Sequence, residues 1–375
     1  MTVLVLALLL AVVAGACTTT HSFFPEARSG GSIDETRGTG SSTRHAHPAR
    51  DVYRAIETPK LAPSVRHFPE RVYVPNSGSG TVDVIDPRTY KIIRHFRVGS
   101  IPHHITPSWS MRKLYVDNTG GNSLTVIDPA HGRPVGTVHV RDPYNLYFTP
   151  DGSKAIVVAE RYDALDFRNR RTWRLLKRVP IPARGPDHLD FSANGSFLLI
   201  STEFSGRVYR VNTTTMKVTG KVVVGGLPVD VKLSPDGSVF YVANQGLNGV
   251  SVIDAHNLTK LKFIPTGEGA HGLCISRDGR RLYVSNRLAG TISVIDLSRR
   301  RVVRTWHVGG SPDMMQVSPN GRQLWFSNRF NDSVGVADTR SGRLLHTISV
   351  GMAPHGLTYF PQPGRFSIGH NGVYR

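Results

Sequence analysis

The stretch DVKLSPDGSVFYVANQGLNGVSVID, residues 230–254, decides the fold. Asp230 to Ser234 alternates apolar and polar side chains, and Pro235-Asp236-Gly237 turns the chain. Val239 to Ala243 is β-branched and aromatic, and Gly249 to Ile253 alternates again. A further apolar run, Leu261 to Ile264, closes the unit before Gly267. Asp-Gly supplies the positive backbone angles that a tight hairpin requires. The reading is four short antiparallel strands in one compact unit.

Working outward, the unit recurs every 42 residues. Asn76, Asn118, Glu160, Thr202, Asn244, Asn286 and Asn328 close Tyr-Val-x-Asn-like runs at that spacing, and His370 falls at the next step. Asp86, Asp128, Asn212, Asp254, Asp296 and Asp338 end Val-Ile-Asp-like runs in the same phase, with Arg170 as the one departure. These aspartates read as turn residues that accept backbone N–H bonds. A small four-stranded sheet exposes two apolar faces that only neighbouring copies can cover, so the sheets must stack around an axis. Innermost strands enter after Gly/Pro-rich turns at His103, Tyr144, Asp187, Val229, His271, Asp313 and His355. The expected fold is therefore all-β, a seven-bladed β-propeller of four-stranded antiparallel blades over residues 64–375. One blade would take three strands from Arg71 to Val98 and its inner strand from His355 to Phe360, closing the ring and removing free sheet edges. Arg365 to Arg375 would pack on that joint or extend it. The stretch Tyr162 to Leu176 predicts an irregular outer edge in its blade.

Tyr73-Val74-Pro75-Asn76, Leu114-Tyr115-Val116-Asp117-Asn118, Tyr241-Val242-Ala243-Asn244 and Tyr283-Val284-Ser285-Asn286, each followed by a Val-Ile-Asp-like strand, resemble the YVTN family of β-propeller repeats. The resemblance covers about Val65 to Phe360. It implies the fold, and it implies a range of roles: cell-surface binding proteins, lactonases, and the propeller portions of nitrite and nitrous oxide reductases.

Composition agrees with a turn-rich sheet protein. Gly 37 and Pro 24 in 375 residues exclude an all-helical fold, while 39% hydrophobic residues suffice for a core. The formal charge of +19 predicts attraction to an anionic cell-envelope polymer or lipid. Basic clusters such as Arg168 to Arg171 and Arg299 to Arg301 lie on no basic helix or zinc finger, which argues against nucleic acid as the partner.

Val3 to Val13 is apolar but too short for an ordinary membrane span, and residues 1–16 read as a signal peptide. Ala14-Gly15-Ala16 before Cys17 resembles a bacterial lipoprotein signal, with Cys17 the lipidated first residue; Ala14 stands where a larger aliphatic is usual, and secretion is the alternative. Residues 17–63, rich in Ser, Thr, Gly, Arg and His, read as a disordered basic tether that carries His45 and His47. Cys274 lies in an apolar run and reads as a buried thiol, with no structural disulfide expected.

Strand direction brings the entry of each innermost strand and the end of each second strand to one mouth of the central channel. The candidate metal ligands there are His103, Asp187, His271, Asp313 and His355, imidazole suiting a borderline ion such as copper and carboxylate a harder divalent one. The candidate ligand-binding rim is His104, Asn145, Glu160, His188, Asp230, Asn244, Asn286, Asn328 and His370. Alternation along a strand predicts that only one of His103 and His104, and one of Asp187 and His188, faces the axis. The same residues also fit a metal-free pocket or a water-filled polar channel. Gly-x-Ser-x-Gly, Gly-x-x-x-x-Gly-Lys, Cys-x-x-Cys-His and His-Glu-x-x-His are all absent from the sequence. The function expected is an extracytoplasmic binding or interaction module taking a small molecule, peptide or protein at the channel mouth. The alternative is a metal-dependent enzyme, an oxidoreductase or a lactonase working through Glu160, Asn244 and a metal-bound water.

Overall fold

The computed structural model describes residues 51–375. Residues 1–16, expected to be a signal peptide, and Cys17, His45 and His47 lie outside the described residues. The 42-residue units fold as seven four-stranded antiparallel blades, in the expected number and strand order. The innermost strands are Thr358–Phe360 (blade 1), Pro102–Pro107 (blade 2), Asn145–Phe148 (blade 3), Pro186–Phe191 (blade 4), Pro228–Leu233 (blade 5), Ala270–Ile275 (blade 6) and Pro312–Val317 (blade 7). Ring closure follows the sequence reading: Phe360, Tyr359 and Thr358 pair with Arg71, Val72 and Tyr73.

Apolar faces meet between blades. Trp325 and Val336 of blade 7 pack with Val72, Val74 and Tyr359 of blade 1, which seals the joint where the two chain ends meet. Tyr147 and Phe167 of blade 3 pack with Phe191 and Tyr209 of blade 4. Burial of this kind contributes roughly 1.5–3 kcal/mol for each large side chain.

Three features depart from expectation. The C-terminal residues do not extend the closing blade. Ser367–Gly369 and Val373–Tyr374 add to the channel side of blade 3, where Gly369 pairs with Tyr147. The innermost strand of blade 3 has only four residues and leaves an edge open inside the channel; Gly369, at φ +98°, can approach it because a Cβ would sit 2.4 Å from the Leu146 carbonyl oxygen. The outer edge of blade 3 is also no exception. Its register shift at Phe167/Arg168 recurs between the third and fourth strands of other blades, as at Val84/Ile85, Val252/Ile253 and Val336/Ala337. Residues 51–63, read as the end of the tether, pack on the wheel instead. Tyr53 and Ile56 are buried, and the Val52 amide donates to the Pro235 carbonyl.

The innermost strands share a second irregularity. Blades 2, 4, 5, 6 and 7 each break register over the residues after the entry position, as between Pro102 and Ile105 or Pro312 and Met315. A bulge strands a backbone amide. In blades 4, 6 and 7 a second-strand serine takes it: Ser201, Ser285 and Ser327 accept from the amides of His188, Gly272 and Met314. The same hydroxyls donate to the carbonyls of Val229, Asp313 and His355 in the next innermost strand, at 2.5–2.6 Å. One side chain thus satisfies the bulge and ties neighbouring blades. Ser327→Ala leaves a buried amide and a buried carbonyl without this partner. It is expected to cost about 1–3 kcal/mol, read as a lower denaturant midpoint, whereas the exposed Ser341→Ala should leave the midpoint in place.

Candidate functional site

The bulges set the geometry of the channel. Without regular alternation, consecutive residues both turn toward the axis, so His103 and His104 enter the same cluster. Only one of the pair was expected there. Asp187 and His188 likewise lie against each other, the Asp187 carboxylate touching the His188 Nδ1.

Six imidazoles converge. The His103 and His355 rings stack with centroids 4.0 Å apart, and His104 stands edge-on at 4.7 Å from His355 and 5.1 Å from His188. His370 lies 4.6 Å from His188 and 5.3 Å from His104, and His271 lies 5.7 Å from His355. All six are buried. Three sets bring their ligating atoms within 4.8 Å of one another: His103, His104 and His355; His104, His188 and His370; His271, Asp313 and His355. Of the predicted metal ligands, Asp187 alone belongs to none of these sets; it backs His188. His104, His188 and His370, expected on the ligand rim, join the clusters.

Hydrogen bonding orients the rings. His355 Nδ1 lies 2.5 Å from Asp313 Oδ2, and His104 Nδ1 lies 2.8 Å from Asn371 Oδ1. Each contact fixes N–H at Nδ1 and leaves Nε2 with a free lone pair. The Nε2 atoms of His104, His188 and His355 are buried without a partner, as are Nδ1 of His103 and His271. Burial, reinforced by neighbouring imidazoles and arginines, holds His103, His104, His271 and His355 well below the usual imidazole range, so these rings are neutral. His188 differs. Burial would lower it, but the adjacent Asp187 charge overrides that and raises it.

The other rim residues divide. Asn145 donates through Nδ2 to the Tyr147 hydroxyl and approaches His370 Nδ1 at 3.2 Å. Asp230 accepts from the Leu273 amide at 2.8 Å and faces His370 Nε2 at 3.5 Å. Burial pushes the Asp230 carboxyl up, but Lys232 and His370 outweigh it and hold the group ionised. Asn244, Asn286 and Asn328 bond within their own blades: Asn244 accepts from the Leu227 and Leu247 amides, Asn286 donates to Thr291 and Ser293, and Asn328 donates to Ser333. Their amides staple turns.

The mouth is furnished by the residue one position later. Ser77, Thr119, Arg161, Glu203, Gln245, Arg287 and Arg329 form their own 42-residue series, the signal that would have located Arg287 and Glu203; Asn371 falls at the next step but belongs to the C-terminal segment inside the channel. Arg287 donates to Asp313 Oδ1 at 2.5 Å, contacts His271 Nε2 at 2.6 Å and donates to Gln245 Oε1 at 3.2 Å. Half-buried Glu160 and Glu203 stand near Asp187. Burial and that carboxylate push them up to about 8 and about 7.

With this geometry described, the chain can be placed among known proteins. Residues 56–363 match the model of the YNCE-like beta-propeller family, and the chain belongs to that family. None of the curated proteins matches its sequence. Its fold is similar to that of the periplasmic gluconolactonase of Pseudomonas aeruginosa, at 21% identity and TM-score 0.66 over 78% of this chain and 99% of that one. A functionally unknown protein from Desulfotomaculum acetoxidans is similar at 18% identity and TM-score 0.67, covering 77% and 98%. Kuenenia stuttgartiensis hydrazine synthase is similar at 18% identity and TM-score 0.60, covering 71% and 92%. At these identities the likeness concerns the fold alone.

The raised Glu160 carboxyl gives a pH signature. Its folded value of about 8 exceeds its ordinary 4.5, so between those values the folded chain keeps a proton that the unfolded chain releases. Stability from this group is full in acid and lost as pH rises through about 8. Glu160→Gln removes the ionisation, so the fall in melting temperature between slightly acidic and mildly alkaline buffer should be smaller than in the parent chain. Parallel curves would show that Glu160 ionises freely.

Proposed function

We propose that this protein is an extracytoplasmic propeller that binds a transition-metal ion in its central channel, with the mouth above the ion as the site where a small ligand arrives. One observation carries the reading: His104 and His355 each have Nδ1 held by an acceptor, and His188 has Nδ1 against a carboxylate, while Nε2 of all three lies buried and bare. An unpartnered buried polar atom costs roughly 1–3 kcal/mol, and a metal ion satisfies several at once. Imidazoles with one carboxylate in reach suit zinc, nickel or copper rather than magnesium or calcium. Export through residues 1–16, lipid anchoring at Cys17 and the basic surface fit a protein held at an anionic cell envelope. The narrower likeness to YVTN repeats supports a binding role there.

A second reading, a metal-dependent enzyme, is favoured by one feature. Burial and the Asp187 carboxylate raise Glu160 and Glu203 to about 8 and about 7, the range that suits a general acid or base beside a metal-bound water. Lactone hydrolysis, the activity for which the Pseudomonas neighbour is named, is the reaction to assay first, with Glu160→Gln as its control.

The metal reading is tested on purified protein by elemental analysis and by titration with Zn(II) and Cu(II). The parent chain is expected to hold the ion stoichiometrically and to melt at a lower temperature in chelator; occupancy at 100 times Kd is worth about 2.7 kcal/mol. A variant with His104, His188 and His355 changed to alanine should lose both effects. Metal-free protein whose melting curve ignores both ions would reject the proposal.

A further inference from the structure

The ring closes at Phe360 and the family match ends at residue 363, yet the chain continues for twelve residues and turns back into the channel. Those residues are firmly seated. The Ser367 amide donates to the Trp109 carbonyl, the His370 amide to the Leu146 carbonyl, and Gln316 Nε2 to the Gly372 carbonyl. The terminal Arg375 is buried, and its guanidinium donates to Asp190 Oδ1 at 2.6 Å and to the carbonyls of Phe191 and Ser192.

A segment serving only as a stopper would present apolar side chains to the channel. The tip of this one presents an imidazole and an amide. Gly369, His370, Asn371 and Gly372 all adopt positive φ, at 98°, 37°, 42° and 72°. L residues avoid that region, and runs of it persist only where surrounding contacts impose them. The bend carries His370 to 4.6 Å from His188 and brings Asn371 Oδ1 to 2.8 Å from His104 Nδ1. Gly356 makes the second contact possible, because a Cβ there would lie 2.1 Å from His104 Nδ1 and 2.4 Å from Asn371 Oδ1. His104, like His355, belongs to two of the three ligand sets, so Asn371 acts on a ring that two sets share.

We infer that the C-terminal segment is a working part of the channel's metal site: Asn371 positions His104, His370 supplies an additional imidazole by turning Nε2 from Asp230 to the ion, and metal binding and seating of the segment reinforce each other. This rests on the metal reading above. By linkage, an ion that gains a ligand from the docked segment must stabilise the docked state by the same factor. Asn371 is a positioning residue, because it touches a ligand ring and not the ion.

The test is Cu(II) and Zn(II) affinity by chelator competition, together with the Cu(II) electron paramagnetic resonance spectrum, on full-length variants checked for folding by thermal melts. Asn371→Ala is expected to weaken binding about 10–100-fold, the usual effect of removing a contact behind a metal-bound histidine. Asn371→Asp keeps the acceptor oxygen and should retain most of the affinity, a rescue that mere packing would not give. His370→Ala should weaken binding and alter the spectrum. If it does not fold, His370→Gln is expected to show the same changes. Added Zn(II) should slow hydrogen exchange at residues 364–375 in the parent chain and less so in His370→Ala. If the parent chain binds metal while both alanine variants match it in affinity and spectrum, the inference is overturned and the metal reading survives. A parent chain that binds neither ion removes both.

Discussion

A bulged innermost strand needs somewhere to put the amide that its ladder no longer pairs, and the channel of this propeller is built on the answer. The second-strand serines Ser201, Ser285 and Ser327 accept those amides and donate to the next innermost strand. Satisfying the bulge and fastening adjacent blades are therefore the same interaction. In blades 2 and 4 the bulge brings two successive functional side chains to the channel, His103 with His104 and Asp187 with His188, so the axis gains more functional groups than a regular sheet allows. Blade 5 shows the contrast: Ala243 replaces the serine, and the residues of that bulge are Val229 and Asp230, one apolar and one held by the Leu273 amide and His370.

The fold was legible because it rests on local, periodic signals. Asp-Gly and Asn-Gly turns, alternating apolar runs and a 42-residue spacing each point to the same small sheet, and seven entry turns fix the blade count. The site was legible only in part. Position along the repeat brought the histidines to one axis, but strict alternation gave the wrong orientation for His103 and His104, because a bulge leaves no periodic trace in composition. The asparagines at the 42-residue step illustrate the reverse error. Their regular spacing reflects a turn that every blade repeats, so Asn244, Asn286 and Asn328 serve the turn, whereas the irregular residues one step later, Glu203, Arg287 and Arg329, differ from blade to blade. In a repeat protein, invariance along the chain marks structure, and variation at a fixed register marks the site.

The C-terminal segment escaped the sequence reading for a different reason. His370 continues the repeat's spacing and invited placement on the rim, but it reaches the axis from the opposite direction, on the turn between two short strands added inside blade 3. That strand pairs through a single residue couple and a few amides, and no local propensity announces it. What determines it is tertiary: a short innermost strand with an open edge, glycines that permit close approach, and Asp190 waiting for Arg375.

These pieces give the channel a direction. At the entry face stand Glu160, Glu203 and Arg287, half-buried and ionisable, so a polar ligand finds charged and proton-exchanging groups there. The opposite side is occupied by the docked segment and Tyr53, whose hydroxyl faces Asp190. Between them lie rings kept neutral by burial, their free nitrogens drawn close together with no protein group among the described residues to pair them. Bare lone pairs at this density repel one another and gain nothing from the fold itself. The proposed cation would reverse the sign of that interaction, at the point where the entry groups and the terminal segment both converge.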